Sequence, residues 1–223
     1  MTWLPILFAA AVAAATAAAT TPVLRWLGGP EPGAAPGDAA AVDFAALATP
    51  RFALLVGLLA LGAGLIAYGA LPPVAWAAWT ALVAPGALAI AIDGATTWIP
   101  YPVTLAMLVL AAGGVLAWAL ATANPWIAVA GLAGAVLTGG FFDLFHRLTR
   151  GGIGYADVRL MAAAGAVCAP VSAQVGLWAP LLGTIIGAVW GVLRLAWRGR
   201  GEFAYGPSLW AGPFVALLLD RLL

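Results

Sequence analysis

The sequence predicts an all-α polytopic membrane protein of about eight transmembrane helices, with both termini outside and its aspartates at the cytoplasmic face. Of its 223 residues, 65% are hydrophobic and only 8% charged. A soluble domain carries about 25% charged residues, so this chain cannot cover a water-exposed surface. The apolar residues fall in runs near the roughly 20 residues that cross a bilayer core, separated by short breaks. The basic residues, nine arginines and no lysine, fall on alternate breaks and so orient the whole.

Residues 3–24 are apolar and Ala-rich, with Pro5 and Pro22 near the edges. They read as a first transmembrane helix, placed at 1–24, or as a cleaved signal peptide. A signal peptide wants positive charge ahead of its apolar stretch, and nothing charged precedes Arg25. Residues 25–51 form the longest polar interval, a Pro/Gly/Ala-rich loop too short for a domain of its own. Within it, 39–48 has the composition for a short interfacial helix. Further spans are expected at 52–70, 74–92, 103–121, 126–145, 158–173, 177–196 and 207–220. The polar break 93–102 opens on Asp93 and ends in Pro100-Tyr101-Pro102. Gly183, Gly187 and Gly191, four apart in the seventh span, leave one helix face smooth enough for a neighbouring backbone to approach.

Counting the breaks fixes the orientation. Arg25 and Arg51 flank the first, Arg147, Arg150 and Arg159 the fifth, and Arg194, Arg198 and Arg200 the seventh; the second, fourth and sixth carry none. Odd breaks therefore face the cytoplasm, with Arg221 alone on the other side. Asp93 lies in the third break and Asp157 in the fifth, so both reach the same face. The single Cys168 excludes an internal disulfide, and with the single His146 it excludes a Cys/His zinc cluster. No metal and no cofactor is expected. The absence of a basic tract argues against a nucleic-acid partner.

An acid inside a membrane protein is costly and needs a reason. Two carboxylates in one poorly hydrated pocket do not easily both ionise, so they share a proton. The ionised one then takes a proton from an attacking water, and the protonated one donates to a peptide carbonyl. Asp93 and Asp157 are the candidates for this aspartic protease chemistry. Each also has a structural reading: Asp93 closing a turn with Thr96 and Thr97, Asp157 capping the helix that follows it. Asp143 is read as a partner for Arg147, four residues on, with a role as an auxiliary acid also open. His146 marks the membrane interface.

Three stretches carry a resemblance. Ile92-Asp93, followed after an interval by Ile99-Pro100 and then Thr104, is one; Gly151-Gly152-Ile153-Gly154-Tyr155-Ala156-Asp157-Val158-Arg159-Leu160, with Gly165 beyond, is the second; Tyr205-Gly206-Pro207-Ser208-Leu209, ending in Ala211-Gly212, is the third. In order and spacing, over about 52–217, they resemble the membrane domain of the prepilin peptidases, the type IV leader peptidases among the GxGD aspartic membrane proteases. The resemblance implies a peptidase membrane domain over 52–223. Asp93 and Asp157 would be catalytic, with Gly152, Gly154, Tyr155, Ala156, Arg159 and Pro100 shaping the turn and the substrate site. It further implies a prepilin or pseudopilin precursor as substrate, cut after a Gly where a short basic leader meets a hydrophobic stem. The expected setting is the bilayer of a bacterial or archaeal cytoplasmic membrane, with pilus or secretion assembly proteins as further partners. Two departures stand out. Ala156 replaces the second Gly of GxGD, and a positive φ there would cost an Ala about 1 kcal/mol or more. The four-cysteine domain that many members carry after the first span is missing, which implies a peptidase without N-methyltransferase activity. A catalytically impaired family member and a cation-handling transporter are the alternatives.

Overall fold

A computed structural model of the chain describes residues 3–29, 41–150, 153–198 and 203–222. Among these residues there are eight helices and no strand: Leu4–Leu27 (α1), Pro50–Ala70 (α2), Pro73–Thr96 (α3), Tyr101–Ala121 (α4), Pro125–Leu148 (α5), Tyr155–Cys168 (α6), Ala173–Arg198 (α7) and Gly206–Leu222 (α8). Six are long and apolar enough to cross a membrane; α6, with 14 residues, and α8, with 17, are not. At 1.5 Å per residue they reach about 21 and 25 Å, short of a hydrocarbon core of roughly 30 Å.

Prolines and side-chain caps set the helix starts. Pro50 and Pro125 open α2 and α5, where a missing N–H costs nothing. Thr49 Oγ1 accepts from Phe52 N at 3.2 Å and Asn124 Oδ1 from Trp126 N at 3.1 Å, satisfying orphan donors of each first turn. Residues 39 and 40 of the expected interfacial helix lie outside the described residues, and over 42–48 the chain forms a 3-10 turn, Ala45–Leu47, instead. Asp43 Oδ1 accepts from Ala46 N at 3.0 Å, which closes a single turn, and the chain restarts at Pro50 before a second can form.

α3 is the central helix: 78% of its most apolar stretch is buried, against 22% in both α1 and α7. Its turn Leu82–Gly86 is π-helical and contains Pro85. Proline cannot donate to the helix ladder, and the widened turn absorbs that defect. The indole of Trp210, on α8, donates to Leu82 O at 2.8 Å and lies against Gly86, giving a carbonyl of the widened turn a partner at membrane depth. The wider turn also re-phases everything after it on α3, Asp93 included.

Antiparallel pairs complete the bundle. α5 and α6 touch backbone to backbone at Gly134 and Gly165, where a Cβ on either would overlap the other's carbonyl. The expected glycine stripe packs inward: Gly183 lies on Leu209, Gly187 on the Tyr205 ring and Gly191 on Phe203.

Candidate active site

Asp93 was expected in a polar break, but α3 runs on through it to Thr96. Nothing in Gly94-Ala95 stops a helix here, and Thr96 Oγ1 bonds back to Ile92 O at 2.9 Å. The stop comes at Thr97, in the left-handed region at φ 60°, whose N–H donates to Asp93 O at 2.7 Å. A β-branched residue is strained there. Thr97→Gly is expected to raise stability by about 1 kcal/mol, read by thermal unfolding in detergent. Asp93 itself is 5% exposed, and its Oδ2 accepts the backbone N–H of Gly206 at 2.9 Å.

Asp157 is the third residue of α6 and 8% exposed. Gly154 precedes the helix in extended conformation and accepts from Asp157 N at 3.0 Å. Asp157 thus stands in the first turn of the helix, where its charge meets the positive end of the dipole. The same carboxylate also lies within range of the charge on Asp93, so capping does not exhaust it.

Ala156 is the second residue of α6, with the negative φ of a helix. The strain anticipated for Ala in place of Gly does not arise, because this position needs no left-handed backbone. Ala156→Gly is expected to lower stability by about 0.5–1 kcal/mol with no gain in cleavage rate, as thermal unfolding and a precursor assay would show.

The Arg159 guanidinium lies 4.7 Å from the ring centre of Tyr101 and 5.1 Å from that of Tyr155, and donates to the buried Thr104 Oγ1 at 2.8 Å. It ties α6 to the start of α4, which is more than the membrane anchoring its position suggested. Pro100 is buried and caps α4, its carbonyl accepting from Val103 N and Thr104 N. Tyr155 meets His146 edge-on at 5.4 Å, and His146 Nδ1 lies 2.7 Å from Ile153 O. Asp143 pairs with Arg147 at 2.8 Å. Gly152 lies outside the described residues. Among the described residues no three His, Cys, Asp or Glu side chains gather as a metal site would need.

Sequence reasoning used Tyr205-Gly206 only as part of the third stretch carrying the resemblance and missed its bond to Asp93. The signal available was a Tyr-Gly-Pro corner opening a helix in a chain with an unpartnered acid. The corner also sets depth. Gly187 faces Tyr205, and from Gly187 α7 continues about eleven residues to Arg198, roughly 16 Å further. A cavity of about 760 Å³ lies beside the end of α3, walled by Gly94, Thr97, Trp190, Trp197, Phe203 and Ser208.

The fold and the site define a polytopic helical membrane protein with two buried acids on separate helices, the second within range of the charge on the first. Residues 82–192, half of the chain and including both acids, match the model of the type IV leader peptidase family. The chain belongs to that family. No curated protein and no solved structure matches it significantly.

Proposed function

We propose that the chain is an aspartic endopeptidase that removes the short basic leader from type IV prepilin or pseudopilin-like precursors at the cytoplasmic face of the membrane. The observation that carries this reading is the burial of two carboxylates, Asp93 and Asp157, the second within range of the charge on the first, in a member of the type IV leader peptidase family. One carboxylate, ionised, takes a proton from water as that water attacks the scissile carbonyl. The other, protonated, donates to the carbonyl oxygen. Collapse of the tetrahedral intermediate breaks the C–N bond, and the departing amine takes up a proton. The protein's own contribution is to hold the two acids and one water in place.

In this reading the chain lies in a bacterial or archaeal cytoplasmic membrane through six full spans and the two shorter helices α6 and α8, with both termini outside. The short helices α6 and α8 begin below the surface, so water reaches the acids from the cytoplasmic side. Pro100, Gly152, Gly154, Tyr155, Ala156 and Arg159 frame the entrance. A single cysteine, Cys168, buried in α6, fits a peptidase without N-methyltransferase activity. Partners are the precursor, the bilayer, and pilus or secretion assembly proteins. A catalytically impaired assembly factor would have drawn on Ala156, whose helical backbone carries no strain.

The test is cleavage of a prepilin-type precursor by the protein in proteoliposomes, with the product weighed by mass spectrometry. Cleavage at the junction of leader and stem, lost in Asp93→Asn and in Asp157→Asn, is expected. Cleavage persisting in either variant removes that aspartate from the site, and no cleavage by the parent chain overturns the reading.

A further inference from the structure

We propose that the corner Tyr205-Gly206 is the positioning element of the acid pair, holding the Asp93 carboxylate in place from the far side of the bundle. This rests on the peptidase reading above. The bond from Gly206 N to Asp93 Oδ2 is buried and joins residues 113 apart in the chain. It commits Oδ2, while no described residue donates to Oδ1, the oxygen left to meet a water.

Glycine at 206 is not there for its backbone. Gly206 has no left-handed φ and begins α8, a place where Ala fits without strain. What it provides is approach: a Cβ would lie 2.7 Å from Asp93 Oδ2 and 3.3 Å from Ile99 Cδ1. Any side chain at 206 therefore displaces the carboxylate.

The corner is itself locked. Tyr205 O–H donates to Thr184 O at 3.2 Å, and its ring fills the space over Gly187, where a Cβ on α7 would overlap it. Tyr205 O accepts from Ser208 N at 3.1 Å and Leu209 N at 3.3 Å, fixing the start of α8. The phenol also lies within range of the Asp157 charge. One two-residue corner thus touches Asp93 through its N–H while its ring anchors it on α7.

The measurement is steady-state cleavage of the precursor in proteoliposomes, with melting temperature in detergent recorded in parallel. Gly206→Ala is expected to lower kcat about 100-fold at unchanged KM and melting temperature. Tyr205→Phe removes only the bond to Thr184 and should lower kcat about threefold, again at unchanged KM. Gly113→Ala, where a Cβ meets nothing within 4 Å, should keep parental values. Parental kcat in Gly206→Ala, in a preparation where Asp93→Asn is inactive, overturns the positioning role and leaves the peptidase reading standing. Full cleavage by Asp93→Asn overturns the reading beneath it. If Gly206→Ala melts early, Tyr205→Phe decides: reduced kcat supports the role, parental kcat overturns it.

Discussion

Asp157→Asn is expected to lower kcat for precursor cleavage by about a thousandfold or more, and Asp93→Asn by a similar factor. The asparagine keeps the volume and a hydrogen-bonding oxygen. At 93 it can still accept from Gly206 N–H, and at 157 the helix start is closed by backbone bonds that the change leaves alone. Fold and melting temperature should therefore survive while proton transfer does not. A structural cap would behave the opposite way, losing stability and keeping turnover. In the parent protein kcat should follow a bell in pH, since the pair works with one proton between its members. At low pH both are protonated and no base remains; at high pH both are ionised and no acid remains. Residual cleavage by either variant should lose one limb of that bell. A flat profile in the parent chain would contradict the shared-proton scheme.

Gly165→Leu is expected to remove the folded protein rather than turnover alone. A Cβ at 165 already overlaps Gly134 O and would stand 2.8 Å from Thr138 Oγ1, so an isobutyl group must part α5 from α6. Overpacking of a tight contact costs about 3 kcal/mol or more when backbone is what it strikes. Since α6 carries Asp157, the site goes with the contact. The check is the yield of monodisperse protein in detergent and its melting temperature. The same change at Gly113, which meets open space, should cost little. Equal melting temperatures for the two variants would show that the α5–α6 contact is not tight in the membrane.

The helices were legible because apolar runs bounded by Pro-bearing breaks leave few alternatives: Pro50, Pro73 and Pro125 mark three of the starts. Lengths were less so. An apolar run does not say where its helix ends, and α6 stops at Cys168 although apolar residues continue. Asp93 was placed in a loop because Gly94 and Thr96 look like turn residues. The actual stop is the left-handed Thr97, a conformation composition does not announce. The Asp143–Arg147 pair could be read directly, as an interaction four residues apart on one helix. The Gly206–Asp93 bond could not. Its donor is a backbone N–H, which every residue but proline possesses, and its acceptor lies 113 residues away. The tie of Arg159 to Thr104 is hidden for a similar reason: hydropathy records a charge at an interface, not the hydroxyl it reaches.

Asp157 sits in the first turn of α6, and Asp93, in the last turn of α3, meets the first N–H of α8. Aligned peptide dipoles give a helix start an effective charge of about +0.5 and a helix end about −0.5. Two starts and one end leave a net positive field of roughly half a charge, supplied by backbone alone. One negative charge matches that field more nearly than two, so the helix ends themselves favour the singly ionised acid pair that the chemistry requires.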